Sequence, residues 1–461
     1  MTFESGYGYD GTLFSRASTI TLLALSLAGG PLAASTARAA EIMAAPNDYI
    51  RAIRTLRPGD TLRLLPGVYR NGLPLHDIQG EAARPITVEG DATGLGSVLL
   101  GSHGKNTISI KNAAYITVRS MLLDGAGIPV DAIKAEGTSK FAHHITLERL
   151  TIINHNTDQS IVGISTKCPA WGWVIRDNVI VGAGTGIYLG NSDGSAPFVG
   201  GLIEHNLIVD SMGYNLQIKH QTSRPLAIGM PVGPMQTVIR RNVFSKAKGS
   251  AAGHMARPNV LLGHFPLTGL GQDDSYSVYG NVFYENAGDA LLQAEGDVSI
   301  VSNIFMNSYG DAVRLMPHKA VPRRVDIAHN TVLARGAGIT VRGGDRRFAQ
   351  VVRANAVFAS QPLVGGEQQH NVTAPYAMAP RYLLAPFARP GRLDFSPRAD
   401  ALKINPEPTN NVATMSQSDY FARPFREPTA GAVASGLGTP WLLDLAVPPR
   451  KPCSSSQECS K

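Results

Sequence analysis

Ile175-Arg176-Asp177-Asn178-Val179-Ile180, Ile203-Glu204-His205-Asn206-Leu207-Ile208 and Ile239-Arg240-Arg241-Asn242-Val243-Phe244 share one pattern: an aliphatic residue, two residues, Asn, one residue, then an apolar one. It recurs at Val278-Tyr279-Gly280-Asn281-Val282-Phe283, Ile300-Val301-Ser302-Asn303-Ile304-Phe305, Ile327-Ala328-His329-Asn330-Thr331-Val332 and Val352-Arg353-Ala354-Asn355-Ala356-Val357. Successive asparagines stand 28, 36, 39, 22, 27 and 25 residues apart, so the repeat carries insertions in its second and third intervals. A fixed period of this kind marks a solenoid. Val118-Arg119-Ser120-Met121 and Leu147-Glu148-Arg149-Leu150 read as earlier turns with an apolar residue in the Asn place.

Within each unit, short β-branched runs alternate with Gly, Asn and Asp, and no stretch has the spacing of a long amphipathic helix. The coils are therefore strands and turns, and the fold expected is a single right-handed parallel β-helix. An Asn at one place in every coil can point inward at a bend and bond backbone groups there and the amide of the next coil. The seven asparagines are thus read as structural.

The two ends differ from the middle. Residues 19–34 are apolar but short and broken by Gly29-Gly30-Pro31, and Ala37-Arg38-Ala39 offers a small-x-small cleavage site. That pattern reads as an export signal over 1–39, placing the mature chain in the periplasm or outside the cell, with no membrane span after signal removal. Residues 40–84 are read as an N-terminal cap with the first strands, 47–56 having helical spacing, and 85–365 as the β-helix. Of the 30 prolines, 13 fall in the last 96 residues, so 366–461 is read as an irregular Pro-rich segment and tail folding back along the solenoid.

The chain has 461 residues, 43% hydrophobic, enough for a continuous core without a second globular domain. A net charge of +7 favours an anionic partner, and no nucleic-acid module is present. A monomer is expected. Three cysteines are too few for a disulfide framework. Cys453 and Cys459 could close a loop in the tail, and Cys168 is read as a buried free thiol.

Leu56-Arg57-Pro58-Gly59-Asp60-Thr61-Leu62-Arg63-Leu64, Pro66-Gly67-Val68-Tyr69 and Arg84-Pro85-Ile86-Thr87-Val88 resemble the opening of the chondroitinase B and alginate lyase family. The whole chain is similar, more loosely, to the pectate-lyase-like β-helix superfamily. The resemblance implies a right-handed parallel β-helix and cleavage of an acidic polysaccharide. It also implies a catalytic Lys on one outward face, preceded by calcium-binding acidic residues and followed by an Arg. Here Gln217 stands where a carboxylate would be wanted and no acidic pair precedes Lys219, so no cofactor is assigned.

Strand alternation supplies the candidate face. With Leu216 and Ile218 inward, Asn215, Gln217, Lys219 and Gln221 point out. The same step in other coils gives Tyr188, Gln293, Glu295, Arg314 and Arg342. Such a groove would hold an anionic polysaccharide, with Tyr188 stacking on a sugar and the cations on its acid groups. For β-elimination Lys219 is the candidate base, Arg257 or Arg314 neutralises the uronate carboxylate, and His254 or His264 in the inserted loops supplies a proton. A non-catalytic polysaccharide-binding or surface protein is the alternative, followed by an epimerase or hydrolase. A hydrolase needs two carboxylates at fixed separation, which this face does not offer.

Overall fold

The computed structural model describes residues 39–91, 95–405, 418–425, 427–434 and 445. The export signal, but for Ala39, lies outside them, as do Cys453, Cys459 and the tail from Pro448. The described chain is a parallel β-helix whose coils each contribute to three parallel sheets. The first sheet runs from Glu41–Ala44 through Thr61–Leu64 and Ile86–Glu89 to Glu367–Gln369. The second runs from Gly67–Tyr69 to Val372–Ala374, and the third from Leu73–His76 through Leu216–Ile218 to the strand Ala356–Val364. Parallel pairing begins at Glu41, ahead of the one-turn helix Tyr49–Ile53, which buries Tyr49 and Ile53 in the main core. No described helix is long and apolar enough to cross a membrane.

The asparagines form one buried ladder at the bend between the first and second sheets. The Nδ2 of Asn178 donates to the Oδ1 of Asn206, which also accepts the Asn178 backbone N–H; the step repeats through Asn242, Asn281, Asn303, Asn330 and Asn355. An eighth member, Asn371, extends it beyond the repeat that the sequence displays. The residue before each ladder Asn has positive φ, from 51° at Ala354 to 63° at Gly280. For residues other than Gly that conformation costs roughly 1–2 kcal/mol, offset here by the amide bonds across the bend. Ser120 and Arg149 make the same turn ahead of Met121 and Leu150, and the ladder starts where the Leu150 N–H donates to Asn178 Oδ1 at 3.0 Å.

Two of the three outer faces are occupied. Along the first sheet, Arg63, Glu89, Arg119, Glu148, Arg176, Glu204 and Arg240 share one register line of alternating sign. Arg63–Glu89 at 2.8 Å, Arg119–Glu89 at 2.6 Å and Arg240–Glu204 at 2.7 Å show that this face neutralises itself. The second sheet turns Val243, Val282, Ile304, Leu333 and Phe358 outward against Leu383, Phe395, Leu402, Tyr420 and Val433 of the C-terminal segment. That segment is tied down by Gly431 N–H to Ala354 O and Ala432 N–H to Thr331 Oγ1. The third sheet keeps an outer face with unmatched cations.

Candidate functional site

On the outer face of the third sheet, Lys134, Ser165, Tyr188, Gln217, Leu261, Gln293, Arg314 and Thr340 occupy one register line. Two residues further along each strand comes a second row containing Lys167, Gly190, Lys219, Gly263, Glu295 and Arg342, fixed by backbone bonds such as Lys219 N–H to Leu189 O and Gly263 N–H to Ile218 O. Gly190 has φ +94°, and a Cβ there would come within 3.3 Å of Lys219 Cβ. A Cβ on Gly263 would sit 2.3 Å from the His220 nitrogen. Both positions therefore need Gly, and Lys219 stands with no side chain beside it in its row.

Tyr188 leans into the gap above Gly190. The Lys167 ammonium lies 3.4 Å from its ring centroid and that of Lys219 5.9 Å away, so the ring is within cation–π reach of both. Its hydroxyl meets Ser192 Oγ at 2.9 Å. Burial, helped by Lys134, holds the Lys167 amine down to about 8. Burial and then Lys319 lower the Lys219 amine from its ordinary value, against the opposing pull of Glu295. Lys219 makes no ion pair among the described residues, whereas Lys134 is paired with Asp131 at 3.1 Å.

Tyr188, Lys219 and Gln293 are half-buried on the outer face, and Arg342 is exposed at its far end. Sequence alternation fails for Asn215 and Gln221. The strand is only Leu216–Ile218, and the chain bends at either end. Asn215 is wholly buried, its Nδ2 reaching Ser211 Oγ and Ser245 O, and Gln221 is buried with its amide on Phe198 O at 3.2 Å. Both are structural. Gln217 is on the expected register line but buried rather than exposed.

Glu295 is also buried, because Oε2 accepts the backbone N–H groups of Lys319 at 3.0 Å and Ala320 at 3.2 Å, so it holds a turn. Arg314 points outward, but Asp289 at 2.7 Å and Asp311 at 2.9 Å already neutralise it. That removes it as a partner for a substrate carboxylate, a reason invisible in strand alternation because the two aspartates sit in turns.

The histidines separate. His254 is exposed in the turn Gly253–Met255 before the strand Val260–Leu262, and His264 follows that strand at its other end. His264 faces His220, ring centroids 5.5 Å apart, and its Nδ1 lies 2.7 Å from Phe265 O. A ring nitrogen facing a carbonyl carries a proton, so Nδ1 of His264 is spent on its own loop and only Nε2 is left to face the site. Arg257 donates to its own loop at His254 O and Ala256 O.

Four groups escaped the sequence reading. Lys134 and Lys167 follow the same alternation as Lys219 but stand in coils ahead of the recognised Asn repeat. Tyr214, beside Arg257, Asp289 and Tyr188, has its phenol raised by burial. Lys246 is buried, and burial brings its amine down to about 7. Its Nζ donates to Arg257 O at 2.7 Å, which anchors the inserted loop at the site's edge.

Calcium would require converging oxygen ligands. Two coils from Lys219 in its row, the carboxylate of Glu295 is bonded to backbone N–H groups, and Gln217 is neutral, so these residues do not fit such a site. Cys168 is a buried thiol that burial pushes up to about 12, which makes it unreactive.

No protein-family model and no curated protein matches the chain. Solved structures similar to it include an alginate lyase from Paenibacillus sp. str. FPU-7, at 16% identity over 73% of this chain and 99% of that one, with TM-score 0.40. Pectate lyase Pel9A is similar at 12% identity over 86% and 96%, with TM-score 0.46. The catalytic unit of a GH87 alpha-1,3-glucanase from Streptomyces thermodiastaticus strain HF3-3 is similar at 12% identity over 72% and 67%, with TM-score 0.41.

Proposed function

We propose that this protein is an exported enzyme that cleaves a uronate-containing polysaccharide by β-elimination on the outer face of the third sheet. The observation that carries the reading is Lys219: an amine without an ion pair, lowered by burial, isolated between two obligatory glycines and set beside the Tyr188 ring. Lys219 in its neutral form takes the C5 proton of the uronate. The C5 electron pair then forms the C4–C5 double bond as the C4–O bond breaks, and the ammonium just formed returns the proton to the leaving oxygen. C5 is acidic enough only when the neighbouring carboxylate is neutralised. Lys167, packed on the Tyr188 ring, supplies that charge, and Tyr188 holds the two amines at the sugar.

This assignment differs from the sequence expectation in two roles. The Lys167 ammonium replaces Arg314, whose charge is spent on Asp289 and Asp311. Lys219 itself replaces His254 or His264 as proton donor, since the Nδ1 of His264 is engaged with Phe265 O.

Incubation with a panel of uronate polymers, followed by the ultraviolet absorbance of unsaturated ends, tests the reading. Lys219→Ala should lose turnover by orders of magnitude while polymer binding weakens modestly. Equal small losses in both would make Lys219 a contact in a non-catalytic binding groove. No unsaturated product from any polymer would remove the lyase reading.

A further inference from the structure

Three loops that leave the third sheet, residues 263–274, 316–324 and 342–349, close around a cavity of about 440 Å³. It lies outside the site just described. Its centre is Phe348, with the guanidinium carbons of Arg323, Arg324 and Arg347 at 5.7, 5.6 and 5.9 Å from the ring centroid. Leu267 and Val321, both exposed, form an apolar rim, and Gln272 and Asp273 add hydrogen-bonding groups.

The three arginines have different tasks. Arg323 is the frame: its side chain is 11% exposed, pairs with buried Asp297 at 2.7 Å and donates to Gln272 O at 2.6 Å, tying two loops together. The third loop is pinned by Asp345 N–H to Pro322 O. Arg324 and Arg347 stand at the mouth, their side chains 49% and 83% exposed. Arg324 meets Asp297 through Nε at 3.1 Å, while its Nη2 has Asp273 at 3.6 Å and Arg347 has exposed contacts with Asp345. The Arg324–Asp273 and Arg347–Asp345 contacts lie at the surface, where such pairs are weak and an incoming anion can displace them, while Arg324 keeps buried Asp297 through Nε and turns its Nη groups to the mouth.

We infer that this cavity binds one acidic sugar residue of a polymer, the apolar face of the ring on Phe348 and its carboxylate or sulfate in the fork of Arg324 and Arg347. An aromatic floor, planar cationic forks and neighbouring oxygen acceptors suit a pyranose bearing an anion. The frame is assembled without the ligand, so little ordering opposes binding. The strand before the 316–324 loop lies three coils beyond that of Lys219, at about 4.8 Å per coil along the axis. A long chain engaged at Lys219 can therefore reach the cavity and a short one cannot. The cavity thus sets a preference for long chains, an inference that rests on the acidic-polysaccharide reading of the groove.

The test compares binding of short and long oligouronates by calorimetry to the full protein and to its Phe348→Ala and Arg324→Gln variants, with a neutral glucan as control. The inference expects long chains to bind the native protein more tightly and each variant to lose about tenfold on long chains only. Circular dichroism and melting of the variants should match the native protein. Unchanged affinity for long chains, or an equal loss on short and long chains, would overturn the cavity while leaving the Lys219 groove standing. Failure of the native protein to bind any oligouronate overturns both. A variant that melts early is replaced by Arg347→Gln, at an exposed position, to which the same outcomes apply.

Discussion

Replacing Asn303 by Ala should damage the fold more than its size suggests. The side chain donates to Val278 O at 2.9 Å, Val301 O at 3.1 Å and Asn330 Oδ1 at 3.0 Å, and its own Oδ1 accepts both the backbone N–H and the Nδ2 of Asn281 at 2.9 Å. Asn281 Nδ2 keeps two carbonyl partners, Ile239 O and Tyr279 O, but its N–H is left buried and unpaired. One such orphan costs about 1–3 kcal/mol. Ser302 also loses the amide that spans its bend, while its φ stays at 53°. The sum is roughly 2–5 kcal/mol. Asn178→Ala, at the ladder's start, also orphans one N–H, that of Leu150, but the Asn178 amide goes to Leu147 O and Asn206 Oδ1 rather than across its own bend, so it should cost less. Urea unfolding gives both values if the slope m is unchanged, and hydrogen exchange at the Asn281 N–H localises the loss. A cost below about 1 kcal/mol for Asn303→Ala, with that amide still protected, would refute the ladder as a source of stability.

Other expectations follow from particular contacts. Asp274→Asn should destabilise by about 3–5 kcal/mol, because it leaves the Arg224 guanidinium, now paired at 2.5 Å with both side chains buried, without a counter-charge; thermal melting reads it. Lys246 has its amine brought down from 10.5 to about 7, so the unfolded chain binds more protons between those values. Stability should therefore rise with pH across that window and fall as pH drops through about 7, and Lys246→Met should flatten the slope in denaturation series. In the proposed reaction Lys167 must be charged and Lys219 neutral; burial lowers both amines and brings Lys167 to about 8, so the alkaline limb of turnover should carry the loss of the Lys167 charge. Lys167→Arg, which cannot lose its charge, should remove that alkaline limb; an unchanged profile would dismiss Lys167 as the neutralising group.

The β-helix was legible because its signal repeats. One Asn per coil, flanked by aliphatic residues, fixes both the period and the inward direction, and a single misread coil would not alter the sum. The ladder's end at Asn371 escaped because its coil, Glu367-Gln368-Gln369-His370-Asn371-Val372, replaces the aliphatic mark with polar residues. The site was legible only at positions whose neighbours are core residues. Tyr188 between Ile187 and Leu189 could be assigned by alternation, and so could Lys219 one step past Ile218. Asn215 and Gln221 lie where the chain leaves a three-residue strand, and the bend turns both inward.

Charge was the least legible property, because the partner of a cation in a solenoid can sit a whole coil away in sequence or in a bend beside its strand. Arg314 reads as a free binding group from its own strand, yet Asp289 from the preceding coil neutralises it. Lys219 reads much the same from its strand but makes no ion pair among the described residues, its row neighbours being Gly190 and Gly263. The feature that separates a catalytic candidate from a structural ion pair on this face is thus whether the chain entering the strand carries an acid, as Asp289 and Asp311 do for Arg314. It follows that placing a carboxylate at Gly190 or Gly263 cannot serve as a gentle probe of Lys219, since any Cβ there displaces backbone or the lysine stem. The direct probe is the lysine itself, by Lys219→Ala or Lys219→Arg. Arg keeps the charge but cannot act as a base, so Lys219→Arg should retain polymer binding and lose turnover. Retained turnover in Lys219→Arg would mean that the amine only holds the polymer and that another group removes the proton.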